Sequence, residues 1–364
     1  MSSSKTHVES LDRGGDDSPH VEDLSCRLIA DDERDPWNAF IHSQASAHLG
    51  HSFEWKEVFE RAYGKKAYYF AALRGDQWVG VLPLVHMRGP LSGNRLVSLP
   101  FLDQAGCLAL FPEASTALLE SARSLSREVR SRGIDLRQRN LEVAEDTDRF
   151  RLVLDLSGSS EVLWKSFSPK VRNQVRKSQK SGLKTEPVEA DSLPAFYDIF
   201  TRTMRDLGSP VHSPSFFDAV FESFSSRARL YITTDSDNRP VGGAVALAFK
   251  NVVTVPWASS LREVFPSCPN HSLYWRILAD AADAGVKLFD FGRSYRDAGT
   301  YKFKTHWGAV PQPLRWTSLD ASGNPEPSKV YKPAEHPLLT RTWSLLPLWI
   351  ANRIGPLVRR QLSN

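Results

Sequence analysis

Three cysteines in 364 residues, Cys26, Cys107 and Cys268, lie too far apart for a disulfide framework or for the paired spacing of a zinc site. Their scarcity suits a reducing compartment. No apolar run approaches the roughly 20 residues needed to cross a bilayer. The N-terminal stretch MSSSKTHVESLDRGGDDSPHVED has no apolar core of the kind a secretory signal needs, and it reads as a disordered arm over residues 1–25. A Walker A loop, a Gly-x-Gly-x-x-Gly fingerprint and a Gly-x-Ser-x-Gly elbow are all missing. The ten histidines form no HExxH motif and no cluster with cysteine. These absences point to a cytoplasmic protein without a metal centre. Acidic residues are missing from His336 to Asn364, where Arg341, Arg353, Arg359 and Arg360 stand unbalanced. Those four charges equal the whole net charge of +4.

Hydrophobic residues at 41% and charged residues at 24% are ordinary for a globular chain with a real core. A repeat is hidden in it. FEWKEVFERA (Phe53 to Ala62) carries Trp55, Val58, Phe59 and Ala62 at i, i+3, i+4, i+7. SFFDAVFESF (Ser215 to Phe224) carries Phe217, Val220, Phe221 and Phe224 at the same spacing, 162 residues later. Each set is one apolar helix stripe. The same offset relates Tyr69 and Phe70 to Tyr231 and Ile232, and Val79 and Gly80 to Val241 and Gly242, all in strand-like runs around polar turns. Helix, strand, turn and strand recur in register, which predicts an α/β fold of two similar units, each a mixed sheet flanked by helices. The linker chemistry of DLSGSS divides them into residues 26–156 and 157–335, with a tail at 336–364.

In the second unit SPKVRNQVRKSQKSG predicts a helix capped by Ser168, with Pro169 in its first position and Gly182 at its end. Arg172, Arg176 and Lys180 form a basic ridge four residues apart, with Lys170 and Lys177 beside it and no acid anywhere. Like charges at this spacing repel by a few tenths of a kcal/mol per pair, which an anionic ligand would relieve. A solvated face is the plainer reading, and phosphate or nucleic-acid contact the functional one. Asn270 predicts the cap of a later helix ended by Gly285.

The stretch FDFGRSYRDAGTYKFKTHWG, from Phe289 to Gly308, mixes a buried strand with cations. Strand alternation turns Phe289 and Phe291 one way and Asp290 the other, and Gly292 lets backbone approach closely. Read as extended, TYKFKTHW puts Tyr301 and Phe303 on one face and Lys302, Lys304 and His306 on the other. Edge protection by lysines is the plainer reading. His212, His271 and His306 read as structural or solvent-facing, and Trp307 as a candidate for ligand stacking.

FDFGRS…GTYKFKTHWG together with SPKVRNQVRKSQKSGL resembles the FemAB-like family, relatives of the peptidoglycan bridge-forming aminoacyltransferases built from tandem GNAT-type domains. The resemblance covers roughly Trp37 to Leu319. The ending LLPLWIANRIGPLVRR is similar to that of members found with exopolysaccharide (PEP-CTERM) loci. The resemblance implies a cleft for an anionic, phosphate-bearing acceptor lined by Arg172 and Lys304, with Arg176, Lys302 and Arg293 as neighbours. It implies an acid in the first domain's side of that cleft, for which Asp103 in LPFLDQAG is the candidate. Two departures matter. No charged helical hairpin for tRNA is present, and no Gln/Arg-x-x-Gly-x-Gly/Ala loop precedes the Asn270 helix to hold the pyrophosphate of coenzyme A. The donor is left as acyl-CoA or aminoacyl-tRNA.

The expected function is therefore an acyl or aminoacyl transfer to a nucleotide- or lipid-linked glycan precursor in cell-envelope or exopolysaccharide synthesis. Lys304 is the candidate for phosphate or oxyanion support and Asp103 for the base. Arg172 and Lys304 are expected to converge on one cleft. The alternatives are a CoA-dependent small-molecule N-acetyltransferase and a non-catalytic binder of anionic glycan or nucleic acid. DNA is not an expected partner. The tail predicts short amphipathic helices broken at Pro347 and Pro356, suited to peripheral contact with an anionic membrane at its inner face or to packing on the domains.

Overall fold

The computed structural model describes residues 24–91, 93–138, 148–327 and 337–363. The first unit runs β1 (Leu24–Leu28), α1 (Arg34–Ser43), α2 (Glu54–Tyr63), β2 (Ala67–Arg74), β3 (Gln77–Met87), β4 (Arg95–Ser98), β5 (Leu108–Ala109), α3 (Pro112–Glu128) and β6 (Gly133–Leu136). After β7 (Arg149–Asp155), α4 (Ser160–Ser166) and α5 (Pro169–Lys180), the order recurs. It runs β8 (Lys184–Val188), α6 (Leu193–Asp206), α7 (Pro214–Phe224), β9 (Ala228–Thr234), β10 (Pro240–Phe249), β11 (Val252–Ser260), α8 (Pro269–Asp283) and β12 (Leu288–Tyr295). The chain closes with α9 (Gly299–His306), β13 (Val310–Pro313), β14 (Thr317–Asp320), β15 (Pro325–Glu326), α10 (Pro337–Ser344) and α11 (Leu348–Arg359). The expected two mixed sheets flanked by helices are present.

Strand alternation builds the layers. Along β2, Tyr69, Ala71 and Leu73 face one core, while Tyr68, Phe70 and Ala72 face another under α3. Along β10, Val245, Leu247 and Phe249 join the first core, while Ala244 and Ala246 face α8. The shared middle core is filled by α1, α2, α6 and α7. The two repeated helices α2 and α7 lie against each other antiparallel, with Trp55 and Phe224 centroids 4.7 Å apart at one end and Tyr63 and Phe216 5.3 Å apart at the other. Both stripes found in the sequence thus bury against one another.

Sheet membership crosses the expected division at residue 156. β7 pairs antiparallel with β12 and β13 of the second sheet, and β14 pairs antiparallel with β6 of the first. Each unit lends the other a strand, so that β6 and β12 each gain an antiparallel neighbour on the side away from their parallel partner. The expected disordered arm also ends early. Residues 1–23 lie outside the described set, but Leu24 and Ser25 pair with Arg74 and Leu73 in β1.

The segment read as an extended TYKFKTHW is the helix α9. Its alternation of types also satisfies a helical stripe, with Phe303 and Trp307 four apart on the inner side. Two residues of helix turn Lys302 and Lys304 about 200° apart. Lys302 is exposed and Lys304 is buried. In the tail, Pro347 separates α10 from α11, but Pro356 sits inside α11 rather than ending it.

Candidate functional site

A cavity of about 490 Å³ opens between the units. Its origin is local. β11 and β12 run parallel through Val252–Leu288, Val253–Phe289 and Thr254–Asp290, and pair no farther. Beyond that point β12 shifts register against β7, between Asp290 and Arg293. Gly292 makes the kink, with φ +72°, a conformation in which L side chains are strained. A Cβ there would meet only ordinary contacts at 3.8 Å, so the glycine serves the backbone angle rather than space. The kink directs two carbonyls inward, and the Lys304 Nζ donates to both, at 3.1 Å to Gly292 and 2.9 Å to Arg293. The cations after this strand therefore hold its bend together.

Around that centre lie two carboxylates. Asp290 accepts the Gly292 N–H at 2.8 Å and pairs with Arg151 at 3.2 Å. Burial pushes its carboxyl up from the usual range, against the pull of Arg151. Asp103 reaches across from the first unit. Its carboxylate accepts the Arg293 N–H at 2.9 Å and lies 3.5 Å from the Arg293 Nε. Its carbonyl accepts the Trp316 indole N–H. Burial pushes the Lys304 ammonium down to about 8, and Asp103 and Asp290 limit the fall. At neutral pH Lys304 is still mostly a cation.

Asp103, Arg293 and Lys304 thus line one cavity. The other expected site residues do not. Arg172 and Arg176 sit on α5, which packs on α8 away from the cavity, and neither lines it. Arg172 is half-buried, and Arg176 is exposed, with its guanidinium over Trp164. The convergence of Arg172 with Lys304 is not seen. Lys302 faces solvent. Trp307 is enclosed by Phe167, His271 and Phe303, so its ring has no face left for a ligand.

Sequence reading missed five lining groups: His48, Gln104, Arg151, Asp290 and Arg359. Asp290 had a signal, a charge set between the apolar Phe289 and Phe291 of one strand, whereas Arg151 shares its strand with Arg149 and Asp155. His48 and Arg359 had none. Burial, then His51 and Arg151, push the His48 imidazole down to about 3, so it is neutral. His212, read as structural or solvent-facing, is buried at the cavity wall. Its Nδ1 meets the Tyr63 hydroxyl at 2.6 Å, and its Nε2 accepts from the Arg359 Nε at 3.3 Å. That contact ties the first unit, the second unit and α11 together.

The α8 N-terminus is where a cradle for coenzyme A pyrophosphate would lie. Pro269, not Asn270, opens this helix, and Cys268 caps it. Pro269 has no N–H, and the His271 and Ser272 amides both donate to the Cys268 carbonyl. Asn270 accepts from Ser260 through its side chain, and its amide alone is left. The Cys268 thiol meets Gln174 of α5 at 2.5 Å, which lays the basic helix over this end. These residues do not fit the pyrophosphate of coenzyme A. Among the described residues no group of three or more His, Cys, Asp or Glu could hold a metal ion.

Residues 167–305 match the family described as an acetyltransferase (GNAT) domain. No curated protein matches the chain. Among solved structures it is similar to FemX, with a TM-score of 0.63 at 15% identity over 81% of this chain and 96% of that one. A tandem GNAT protein from the clavulanic acid biosynthesis pathway aligns with a TM-score of 0.53 at 12% identity over 84% of this chain and 100% of that one. The C-terminal domain of a putative lysylphosphatidylglycerol synthetase from Agrobacterium fabrum gives 0.50 at 12% identity, covering 77% and 91%. At identities this low the likeness shows the fold alone.

Proposed function

We propose, from the premise that this chain is a FemAB-like tandem GNAT protein, that it is an acyltransferase whose acceptor is a phosphate-bearing glycan precursor bound in the cavity between the units. The observation that carries this reading is the charge of that cavity. Among the described residues lining it, Arg151, Arg293, Lys304 and Arg359 face only Asp103 and Asp290. Four cations against two carboxylates leave a surplus that suits a dianion such as a phosphate ester or pyrophosphate.

In this reading an amine or hydroxyl of the acceptor attacks the acyl carbon of an activated donor. A C–N or C–O bond forms, and the bond from the acyl carbon to the leaving group breaks. Asp103 takes the proton of the nucleophile, and the leaving group carries off the electron pair. The Lys304 ammonium, pinned by two carbonyls, stabilises the acceptor phosphate or the tetrahedral oxyanion without reorganising. His48, neutral and open on the cavity, orients the acceptor through hydrogen bonds. The exposed cations of α5 lie outside the cavity and suit a polyanionic donor such as aminoacyl-tRNA, whereas the α8 terminus gives no support to coenzyme A.

The test is turnover of labelled aminoacyl-tRNA and, separately, labelled acetyl-CoA, each with nucleotide-linked and lipid-linked amino sugars. Transfer from aminoacyl-tRNA supports the reading in full. Transfer from acetyl-CoA to a small amine alone would replace it with the N-acetyltransferase reading. Saturable binding without product from either donor would leave an anionic-ligand binder.

The site of action in this proposal is the inner membrane surface. No helix among the described residues is long and apolar enough to cross a membrane. The outer side of α10 and α11 nevertheless exposes Leu338, Leu339, Leu345 and Trp349, the last at 70%, beside exposed Arg353 and Arg360. Each basic residue near an anionic surface contributes about 1 kcal/mol. Salt-sensitive sedimentation with phosphatidylglycerol vesicles, lost in a Leu345→Ser, Trp349→Ser variant, is the expected result. Equal sedimentation of the two would remove the membrane from the proposal.

A further inference from the structure

We infer that Arg359, carried by the tail helix α11, is an anion ligand of the cavity, so that the tail completes the binding site rather than merely covering it. This rests on the reading that the cavity holds a phosphate-bearing acceptor, and it names the residue that takes the far side of that group.

The other cations of the cavity are more fully committed. Arg151 pairs with Asp290 and Arg293 with Asp103, while Lys304 spends two of its three donors on carbonyls and keeps one for a ligand. Arg359 has no carboxylate within 4.0 Å among the described residues, and the salt bridges do not include it. Its hydrogen bond goes to the neutral His212, and its guanidinium lies 4.6 Å from the Phe101 ring centroid. A guanidinium offers five donors in a fixed fork, and one weak bond to an imidazole leaves most of them open. Burial accordingly pulls Arg359 down to about 10. A half-buried cation without an anion is unfavourable unless a ligand supplies the charge.

The position of Arg359 is built, not incidental. Ala351 and Gly355 are buried, and a Cβ at Gly355 would meet the Val211 amide nitrogen at 3.2 Å, so α11 sits directly on the second unit. The Leu346 carbonyl accepts from Arg205 of α6. Past the helix, the Ser363 carbonyl accepts from the Phe101 amide at 3.2 Å and from Arg137 at 2.8 Å in the first unit. Leu362 joins the cavity wall between these anchors. The tail therefore spans both units and fixes Arg359 on the side of the cavity formed by Phe101 and His212, with Lys304 held by β12. An anion in the cavity could take the fork of Arg359 as a bidentate partner and meet Lys304 on the wall formed by β12.

The experiment is calorimetric titration of the full chain with inorganic pyrophosphate. Wild type should bind, and Arg359→Gln should weaken binding roughly ten- to a hundredfold. Arg353→Gln, on the exposed side of the same helix, should bind as wild type. Exchange of the Phe101 amide reports whether the tail stays seated. A second measurement needs no variant: pyrophosphate should slow phenylglyoxal modification of Arg359 in wild type and leave that of Arg353 unchanged. Absence of that protection, or wild-type affinity in a seated Arg359→Gln, overturns the inference. If Lys304→Met abolishes binding while Arg359→Gln does not, the cavity reading survives and only this inference fails. If wild type does not bind pyrophosphate, both fail. Dihexanoyl phosphatidic acid in the same titration separates the sources. Tighter, Arg359-dependent binding of the lipid points to a lipid-linked phosphate, and tighter binding of pyrophosphate to a soluble one.

Discussion

The two units carry the same elements in the same order, yet only one holds the centre of the site. The difference sits in one strand of each. β6 and β12 both follow the long helix of their unit, both run parallel to a preceding strand, and both place an aspartate within that pairing, Asp135 at its middle opposite Val97 and Asp290 at its end opposite Thr254. Asp135 is spent on structure. It pairs with Arg95 at 2.9 Å and accepts from Ser318 of the lent strand at 2.7 Å, while Arg95 also holds Glu326. Asp290 is followed by a glycine with φ +72°, the strand bends away, and the carboxylate opens on a cavity. Two similar scaffolds thus differ at this strand by one kink. The first unit then serves as the opposite wall, contributing Asp103, Gln104 and His48.

The largest expected effect breaks the frame that both units share. Trp55→Ala removes a fully buried ring packed on Phe224 and should destabilise the chain by about 3–5 kcal/mol, read by denaturant unfolding. Loss of both units in a single transition is the expected form, because each sheet holds a strand of the other.

Next is Lys304→Met, for which transfer should fall by about 10²–10³ in kcat. Its stability relative to the wild type should depend on pH. The folded value near 8 lies below the ordinary 10.5, so the unfolded chain binds this proton more tightly. The wild type therefore carries the full burden of the buried cation below about pH 8 and sheds it as pH rises towards 10.5. Relative to the wild type, the Met variant should gain stability below pH 8 and lose that gain above it, on top of a constant cost from the two carbonyls it leaves without a donor. Wild-type activity should decline above about pH 8 as Lys304 loses its charge.

The paired aspartates sharpen the comparison directly. Asp135→Asn should cost about 1–3 kcal/mol of stability, with kcat unchanged. Asp290→Asn should lower kcat and cost stability as well, since it leaves the buried Arg151 without its carboxylate. Equal behaviour of the two would mean that both carboxylates are structural. The smallest effect is Gly292→Ala, at about 1–2 kcal/mol from the left-handed backbone alone.

Much of this was legible in the chain. Apolar stripes at helical spacing, repeated 162 residues apart, announce two α/β units because burial of one helix face is a local pattern. Ser168, Pro169 and Gly182 mark α5 because caps are local too, and the Ser168 hydroxyl does accept the Val171 N–H. Asp103, Arg293 and Lys304 could be named as candidates from motif and resemblance. Where local signals agree with two structures, the sequence was silent: TYKFKTHW alternates like a strand and is a helix, because packing of Phe303 and Trp307 against Tyr274 and His271 decided between periods.

Tertiary structure alone decided the rest. Arg172 stands in a basic ridge that any reader would notice, and it lies away from the cavity, while Arg359 stands in an unremarkable tail and lines it. The exchange of β7 and β14 between sheets has no local signature, since each strand would suit either partner. Composition and periodicity determined that this chain folds as two joined α/β units with a basic tail, because those depend on which faces each segment must bury. Which charges meet across the gap depends on how the units dock, and docking is set by the summed packing of α2 on α7 and of α11 on both, a property that no single stretch of residues contains.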